Sequence, residues 1–228
     1  MRVARHKTRF SHNLLSETMI KRTFDFIAAL LGLIVLSPLM LIMAVLVRLT
    51  SPGPAFYLQK RIGKSGEPFK IFKFRTMYID ADKRGGTITV GRDPRITPIG
   101  HILRKLKFDE FAQLINVVKG DMSLVGPRPE TPNYVELYSA EQRRVLSVKP
   151  GITDPASIKF RNENDLLAGA KDPNETYIKE IMPAKLKINL EYLDRQSLLG
   201  DIGIIFQTFY WVFVSKLIPT KSSNEPKS

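Results

Sequence analysis

From Phe26 to Val47 the chain carries no charge at all, and about 20 such residues are enough to cross a bilayer as one helix. Pro38 sits near the middle of this run. There it removes a backbone hydrogen bond and crowds the preceding turn, while Ser37 can offer its hydroxyl to the freed carbonyl. Lys21 and Arg22 precede the run, and Arg48, Lys60, Arg61 and Lys64 follow it, so both flanks look cytoplasmic under the positive-inside rule. The pattern predicts a helix that breaks at Ser37-Pro38 and returns to its starting side. A straight span and the buried helix of a soluble protein are the alternatives.

Further on, Ala55 to Lys60 and Phe69 to Met77 alternate apolar and polar positions as strands do, after the turn Ser51-Pro52-Gly53-Pro54. Thr97-Pro98 is a helix start, cap then first-turn proline, and opens a helix through about Arg104. Phe108, Phe111, Leu114, Ile115 and Val118 recur at helical spacing, which predicts an amphipathic helix from Phe108 to Lys119 ending at Gly120. Asp109 and Glu110 then fall in its first turn, and the chain must break near Leu106 for Arg104 to face them. Glu136 to Val145 reads as a short helix, Lys149 to Thr153 as a turn into a loop, and Pro183 to Gln196 as a polar-faced helix. Leu198 to Ile218 is apolar and aromatic, interrupted by Asp201, Gln207 and Lys216. It is either an in-plane interfacial helix or a core helix. The resulting division is a basic segment over 1–20, a membrane helix-break-helix over 21–50, a catalytic domain with interfacial helices over 51–218, and a disordered tail over 219–228.

Thirty-five Lys and Arg against 22 Asp and Glu leave a net charge of +13, which calls for a polyanionic partner: nucleic acid, an anionic membrane or phosphorylated substrates. With no cysteine, disulfides, thiolate zinc sites and cysteine nucleophiles are excluded. Asp80-Ala81-Asp82 matches the short acid-x-acid pattern by which many soluble glycosyltransferases hold a metal, but it leads into Lys83-Arg84-Gly85-Gly86 and reads as a solvated turn.

The densest chemistry lies between His101 and Glu130. An adjacent acid pair, Asp109-Glu110, stands between Arg104 and Arg128, and Arg128 is fixed between Pro127 and Pro129, whose φ is locked. First-turn acids often only complement the helix dipole. A guanidinium fork matches phosphate oxygens, however, and a carboxylate beside it can hold Mg²⁺ or act as a nucleophile. Lys73 and Arg75, interleaved with aromatics, and Arg161 in the polar loop Arg161-Asn162-Glu163-Asn164 are further candidates for nucleotide contacts.

The stretch FDEFAQLINVVKGDMSLVGPRPE resembles the signature of the bacterial sugar transferases, the small monotopic phosphoglycosyl transferases. KRTFDF before the apolar run with Ser37-Pro38, then KIFKFRTM and KPGIT, extend the likeness over roughly Lys21 to Phe213. The resemblance implies a helix-rich α/β (α+β) monotopic membrane enzyme, with a re-entrant membrane hairpin and a small catalytic domain on the cytoplasmic face of the inner membrane. It implies transfer of a sugar-1-phosphate from a UDP-sugar to a polyprenol (undecaprenyl) phosphate, opening a surface-glycan pathway. Asp109 would be nucleophile and Mg²⁺ ligand, Glu110 would assist by positioning or by accepting the proton of the polyprenol phosphate, and Arg104 and Arg128 would bind phosphate oxygens. Anionic lipids are then the expected surface, nucleic acid is not a partner, and a homo-oligomer stays open. One departure stands out: many members carry Gly-Trp-Ala-Gln after the Thr of KPGIT, where this chain has Asp154-Pro155-Ala156-Ser157. The competing readings are a membrane-bound glycosyltransferase using Asp80 and Asp82 on a metal, and a basic membrane-anchored binding protein without chemistry.

Overall fold

The computed structural model describes residues 2–81 and 93–214, with side chains for 19–81 and 93–212. A 49-residue helix, α1 (Arg2–Thr50), leads into a hairpin of β1 (Phe56–Ile62) and β2 (Pro68–Phe74). The two strands pair antiparallel, Phe56 opposite Phe74 and Ile62 opposite Pro68. Then come α2 (Pro98–Leu106), α3 (Gln113–Lys119) and β3 (Ser123–Val125). After α4 (Pro132–Glu136), β4 (Gly151–Thr153) pairs parallel with β3. The helices α5 (Pro155–Lys159), α6 (Glu163–Ala168), α7 (Pro173–Thr176), α8 (Met182–Asp194) and α9 (Leu198–Phe209) complete a mixed, helix-rich α/β fold.

Met19–Thr50 is long and apolar enough to cross a membrane by length and composition. Leu31, Val35, Leu41 and Leu49 stand exposed on it, whereas Ala29, Met40, Met43 and Val47 are buried. Met40, Met43 and Val47 pack on Phe74 of β2, Leu103 of α2 and Ala112, so the apolar helix is also one wall of the body that follows it. The predicted break does not end this helix, which runs through Pro38 without interruption. Pro38 nevertheless frees the carbonyl four residues back, that of Ile34, and the Ser37 hydroxyl donates to it at 2.8 Å.

Polar side chains tie the foot of α1 to the rest of the molecule. The buried Asp25 carboxylate accepts from Ser123 Oγ at 2.7 Å and from Leu124 N at 3.2 Å, on β3. Lys21 Nζ pairs with the buried Asp201 of α9 and donates to Val125 O at 3.2 Å. Asp201 also accepts from Tyr192 Oη at 2.6 Å. In α3, the buried Asn116 covers the free edge of β2: its Oδ1 accepts from Phe72 N at 2.9 Å and its Nδ2 donates to Lys70 O at 2.8 Å. A separate core of Val135, Tyr138, Leu167, Ile181 and Leu186 joins α4, α6 and α8.

Three element predictions are corrected. The single helix from Phe108 to Lys119 is a 3₁₀ turn, Phe108–Glu110, followed by α3. The amides of Glu110, Phe111, Leu114 and Ile115 bond three residues back, a tighter winding that apolar spacing does not distinguish from an α-helix. Glu136 to Val145 divides into the end of α4 and a 3₁₀ segment, Gln142–Ser147, because Thr131-Pro132 starts the helix earlier. Lys149 to Thr153 includes a strand, since β3 offers it a parallel edge. Asp82 and the tail over 219–228 lie outside the described residues.

Candidate active site

The acid pair is positioned by how α2 stops. Thr97 caps its first turn, accepting from Gly100 N at 3.0 Å. Lys107 ends it in the left-handed region, φ 60°, turning the chain so that Asp109 and Glu110 follow at once on a new axis. That break was expected near Leu106, and the expected stop of α3 at Gly120 also stands, with φ 92°. Adjacent residues on a tight turn point in different directions. Asp109 is buried and its Oδ1 has no hydrogen-bond partner among the described residues, while Glu110 Oε1 takes both Arg128 Nη2 and, at 3.3 Å, Lys73 Nζ.

Arg128 reaches Glu110 because β3 and β4 lie very close. Gly126 N donates to Thr153 O and Gly151 N to Pro127 O, each at 3.1 Å. A Cβ on Gly151 would sit 2.2 Å from Gly126 N, so only glycine permits this approach. Pro127 and Pro129 stiffen the exit, and Arg128 Nη1 donates to Ile152 O at 3.2 Å. The guanidinium is thus anchored at one end and placed on the acid pair at the other.

The two carboxyls are driven apart electrostatically. Burial pushes Asp109 above the usual carboxylate range and the Glu110 charge pushes it further, against Lys73, Lys107 and Arg104. Burial would raise Glu110 too, but Arg128, Lys73 and Lys107 outweigh it and hold this group well below that range. Glu110 in turn raises Arg128. Burial lowers Lys73, an effect that Glu110 opposes. Glu110 is therefore a fixed anion that holds two cations in place, and Asp109 is the unpartnered carboxylate with an oxygen to offer.

Both acids lie in a cleft of about 650 Å³. Arg104, Arg128 and Lys73 line it as well, and Arg104 Nε is oriented by Thr76 Oγ1 at 2.8 Å. Arg75 also lines the cleft, but its guanidinium donates to the carbonyls of Ser51, at 2.8 Å, and Pro52, closing the end of α1. Arg161 is not among the lining residues and stacks on the Trp211 ring at 4.1 Å. Asp80 does not line the cleft either. Asp154, at the departure from the family pattern, is a buried cap of α5, accepting from Ser157 N at 2.9 Å.

The sequence reading missed a polar group at the same cleft. Glu130 accepts from Tyr177 Oη and pairs with Arg61 Nη1 at 3.3 Å, and Lys185 Nζ pairs with Glu163 Oε2 at 2.8 Å. Glu130 ends the Pro-Arg-Pro-Glu stretch and Glu163 stands in the polar loop Arg161-Asn162-Glu163-Asn164, whereas nothing local marks Tyr177 or Lys185. Among the described residues no three His, Cys, Asp or Glu side chains cluster to hold a metal. Asp109 with its unpartnered oxygen still fits Mg²⁺, which is usually bound by one or two carboxylates, with waters and substrate phosphates completing its shell.

The sequence model of the bacterial sugar transferase family matches residues 16–215. Among curated relatives, an Aeromonas hydrophila protein named UDP-N-acetylgalactosamine-undecaprenyl-phosphate N-acetylgalactosaminephosphotransferase is 38% identical over 194 residues, 83% of this chain and 42% of its own length. The Escherichia coli UDP-glucose:undecaprenyl-phosphate glucose-1-phosphate transferase is 37% identical over 202 residues, 87% of this chain and 41% of the relative. The chain therefore spans less than half the length of these two. It spans 86% of an exopolysaccharide production protein of Sinorhizobium fredii, at 35% identity over 211 residues.

Proposed function

Because the chain belongs to the bacterial sugar transferase family, we propose that it transfers a sugar-1-phosphate from a UDP-sugar to a polyprenol phosphate, the opening step of a surface-glycan pathway. The observation that carries this reading is the unpartnered, buried Asp109 oxygen in a cleft whose cations are held by Glu110. An Asp109 oxygen attacks the phosphorus that bears the sugar. The bond to the bridging oxygen breaks, and UMP leaves with the electron pair, giving an aspartyl phosphosugar. A phosphate oxygen of the polyprenol phosphate then attacks the same phosphorus and displaces the Asp109 carboxylate, so atoms and charge balance in both steps. Splitting one difficult transfer in two lowers each barrier.

Arg128 and Arg104 offset the repulsion between an anionic nucleophile and an anionic diphosphate, which is the larger obstacle in such a site. Glu110 keeps Arg128 and Lys73 in position. Both cations meet its Oε1, so its work is orientation. Mg²⁺, held by Asp109 and the donor phosphates, would supply further neutralisation of phosphate charge.

In the same reading α1, helical on both sides of Pro38, bends there within one leaflet and returns, leaving the catalytic domain on the cytoplasmic face of the inner membrane against anionic lipid. Basic flanks on both sides of the apolar run and the Ser37 hydroxyl on the carbonyl freed by Pro38 support it. The test of the chemistry is a burst. Enzyme mixed with UDP-sugar before any lipid acceptor should release UMP up to the amount of enzyme, and Asp109→Asn should abolish it. Release of UMP only after the acceptor is added, with no adduct on Asp109 by mass spectrometry, would replace the two-step mechanism with direct transfer.

A further inference from the structure

Beside the acid pair and its cations, the cleft is lined by a second group of residues in contact with one another. Arg61 Nη1 pairs with Glu130, which accepts from Tyr177 Oη, and Lys185 Nζ lies over the Tyr177 ring at 5.5 Å and pairs with Glu163. These residues make a continuous wall beyond Arg128 that the transfer chemistry leaves without a task.

Its composition is specific. The charges on this wall are already matched, Arg61 with Glu130 and Lys185 with Glu163, so it offers little to a free phosphate. Tyr134 and Tyr177 lie with ring centroids 4.9 Å apart; Tyr177 is buried beneath Lys185 Nζ, 5.5 Å from its ring, so the half-buried Tyr134 is the ring that meets the cleft. Two buried polar atoms on the wall have no hydrogen-bond partner among the described residues, Arg61 Nε and Thr131 Oγ1. Buried polar atoms in native proteins are nearly always satisfied, and this pair asks for a ligand with both an acceptor and a donor, since Nε–H donates while a hydroxyl does either. A polyprenyl chain would leave these groups desolvated without compensation. A neutral ring bearing hydroxyls, with one apolar face to lay on tyrosine, satisfies all of them.

We propose that this wall is the subsite for the sugar ring of the donor, and that Glu163 and Asn164 of α6, with Lys185, choose among sugars by their ring substituents. The inference rests on the sugar-1-phosphate transfer reading. In that reaction the sugar is bonded directly to the phosphorus that Asp109 attacks, so the ring must lie beside the phosphate that Arg128 holds. The relatives point the same way: two that are 38% and 37% identical to this chain carry different sugars in their names. Residues away from the acid pair must therefore make that choice. Glu163 and Asn164 open α6 and line the cleft.

The experiment measures binding in the Asp109→Asn background, where donor is not consumed, on full-length chain in detergent. Affinities for UDP-glucose, UDP-galactose, UDP-N-acetylglucosamine, UDP-N-acetylgalactosamine and UDP itself are compared with those after adding Glu163→Gln or Asn164→Ala. The expected result is at least a tenfold change in the preference among the four sugars, with affinity for UDP unchanged. A fall in UDP affinity with the sugar preference intact would assign the wall to the nucleoside, and an equal loss for all five would make it structural; either overturns the proposal. The transfer reading fails by a separate result, wild-type enzyme releasing UDP in place of UMP.

Discussion

At the scale of single residues, the site is built from two adjacent carboxyls in opposite electrostatic states. Glu110 is held ionised by Arg128 and Lys73, whereas Asp109 is raised, first by burial and then by its neighbour. A raised carboxyl favours the fold only while protonated. That contribution is complete below the unfolded value near 3.9 and is lost as pH rises through the higher folded value. At neutral pH the ionised Asp109 therefore costs stability, and Asp109→Asn should make the protein more stable. In the presence of a chelator the melting temperature should rise by roughly 2–4 °C at pH 7.5, the shift made by about 1 kcal/mol in a chain of this size, and the gain should vanish near pH 4. Adding Mg²⁺ should raise the wild-type midpoint and leave the variant where it was, since a ligand stabilises only the form that binds it. A variant less stable than wild type at pH 7.5 would mean that Asp109 is a satisfied structural group.

At the scale of elements, the strands β3 and β4 are only three residues each, yet they carry Arg128 into the cleft. Gly151→Ala would press a Cβ against the backbone of Gly126 at 2.2 Å. Forcing the strands apart should cost about 1–3 kcal/mol and lower activity by more than that loss explains, because Arg128 moves with β3. Gly203→Ala is the control, since a Cβ there meets nothing within 4 Å. If both variants melt and react like wild type, the close approach of the strands does not hold the arginine. The long helix α1 raises a question of topology at the same scale. With cysteines introduced singly at positions 12 and 64, a re-entrant helix leaves both unreactive to an impermeant reagent from outside and reactive from within. Labelling from outside at one of the two positions would establish a span instead.

Across the whole molecule, α1 and α9 are locked together through Lys21 and the nearly inaccessible Asp201, supported by Tyr192. Taking away one partner of a buried ion pair strands the other. Lys21→Met should thus destabilise the protein by about 3–5 kcal/mol, and adding Asp201→Leu should recover most of the loss; denaturant unfolding in micelles measures both. An additive double variant would mean that the two groups do not depend on one another. Much of this architecture can be read along the chain, because it depends on neighbours within a turn or a strand. The apolar length of α1, the hydroxyl of Ser37 on the carbonyl freed by Pro38, the Thr97 cap, the β1–β2 alternation, the stop at Gly120 and the stiff Pro127-Arg128-Pro129 are of this kind. So is the adjacency of Asp109 and Glu110, which carries the family resemblance. Their division of labour is not, for it follows from Lys73 arriving from β2 and Arg128 from the end of β3. Arg75 and Arg161 look alike in sequence to the arginines of the cleft, yet one closes α1 and the other stacks on Trp211. Lys185 and Glu163 meet across 22 positions and Lys21 and Asp201 across 180. No period or motif links such pairs. Packing of the separate cores brings them together, and burial then makes an ion or hydrogen-bond partner obligatory, so these pairings and the wall beyond Arg128 were decided by the tertiary structure alone.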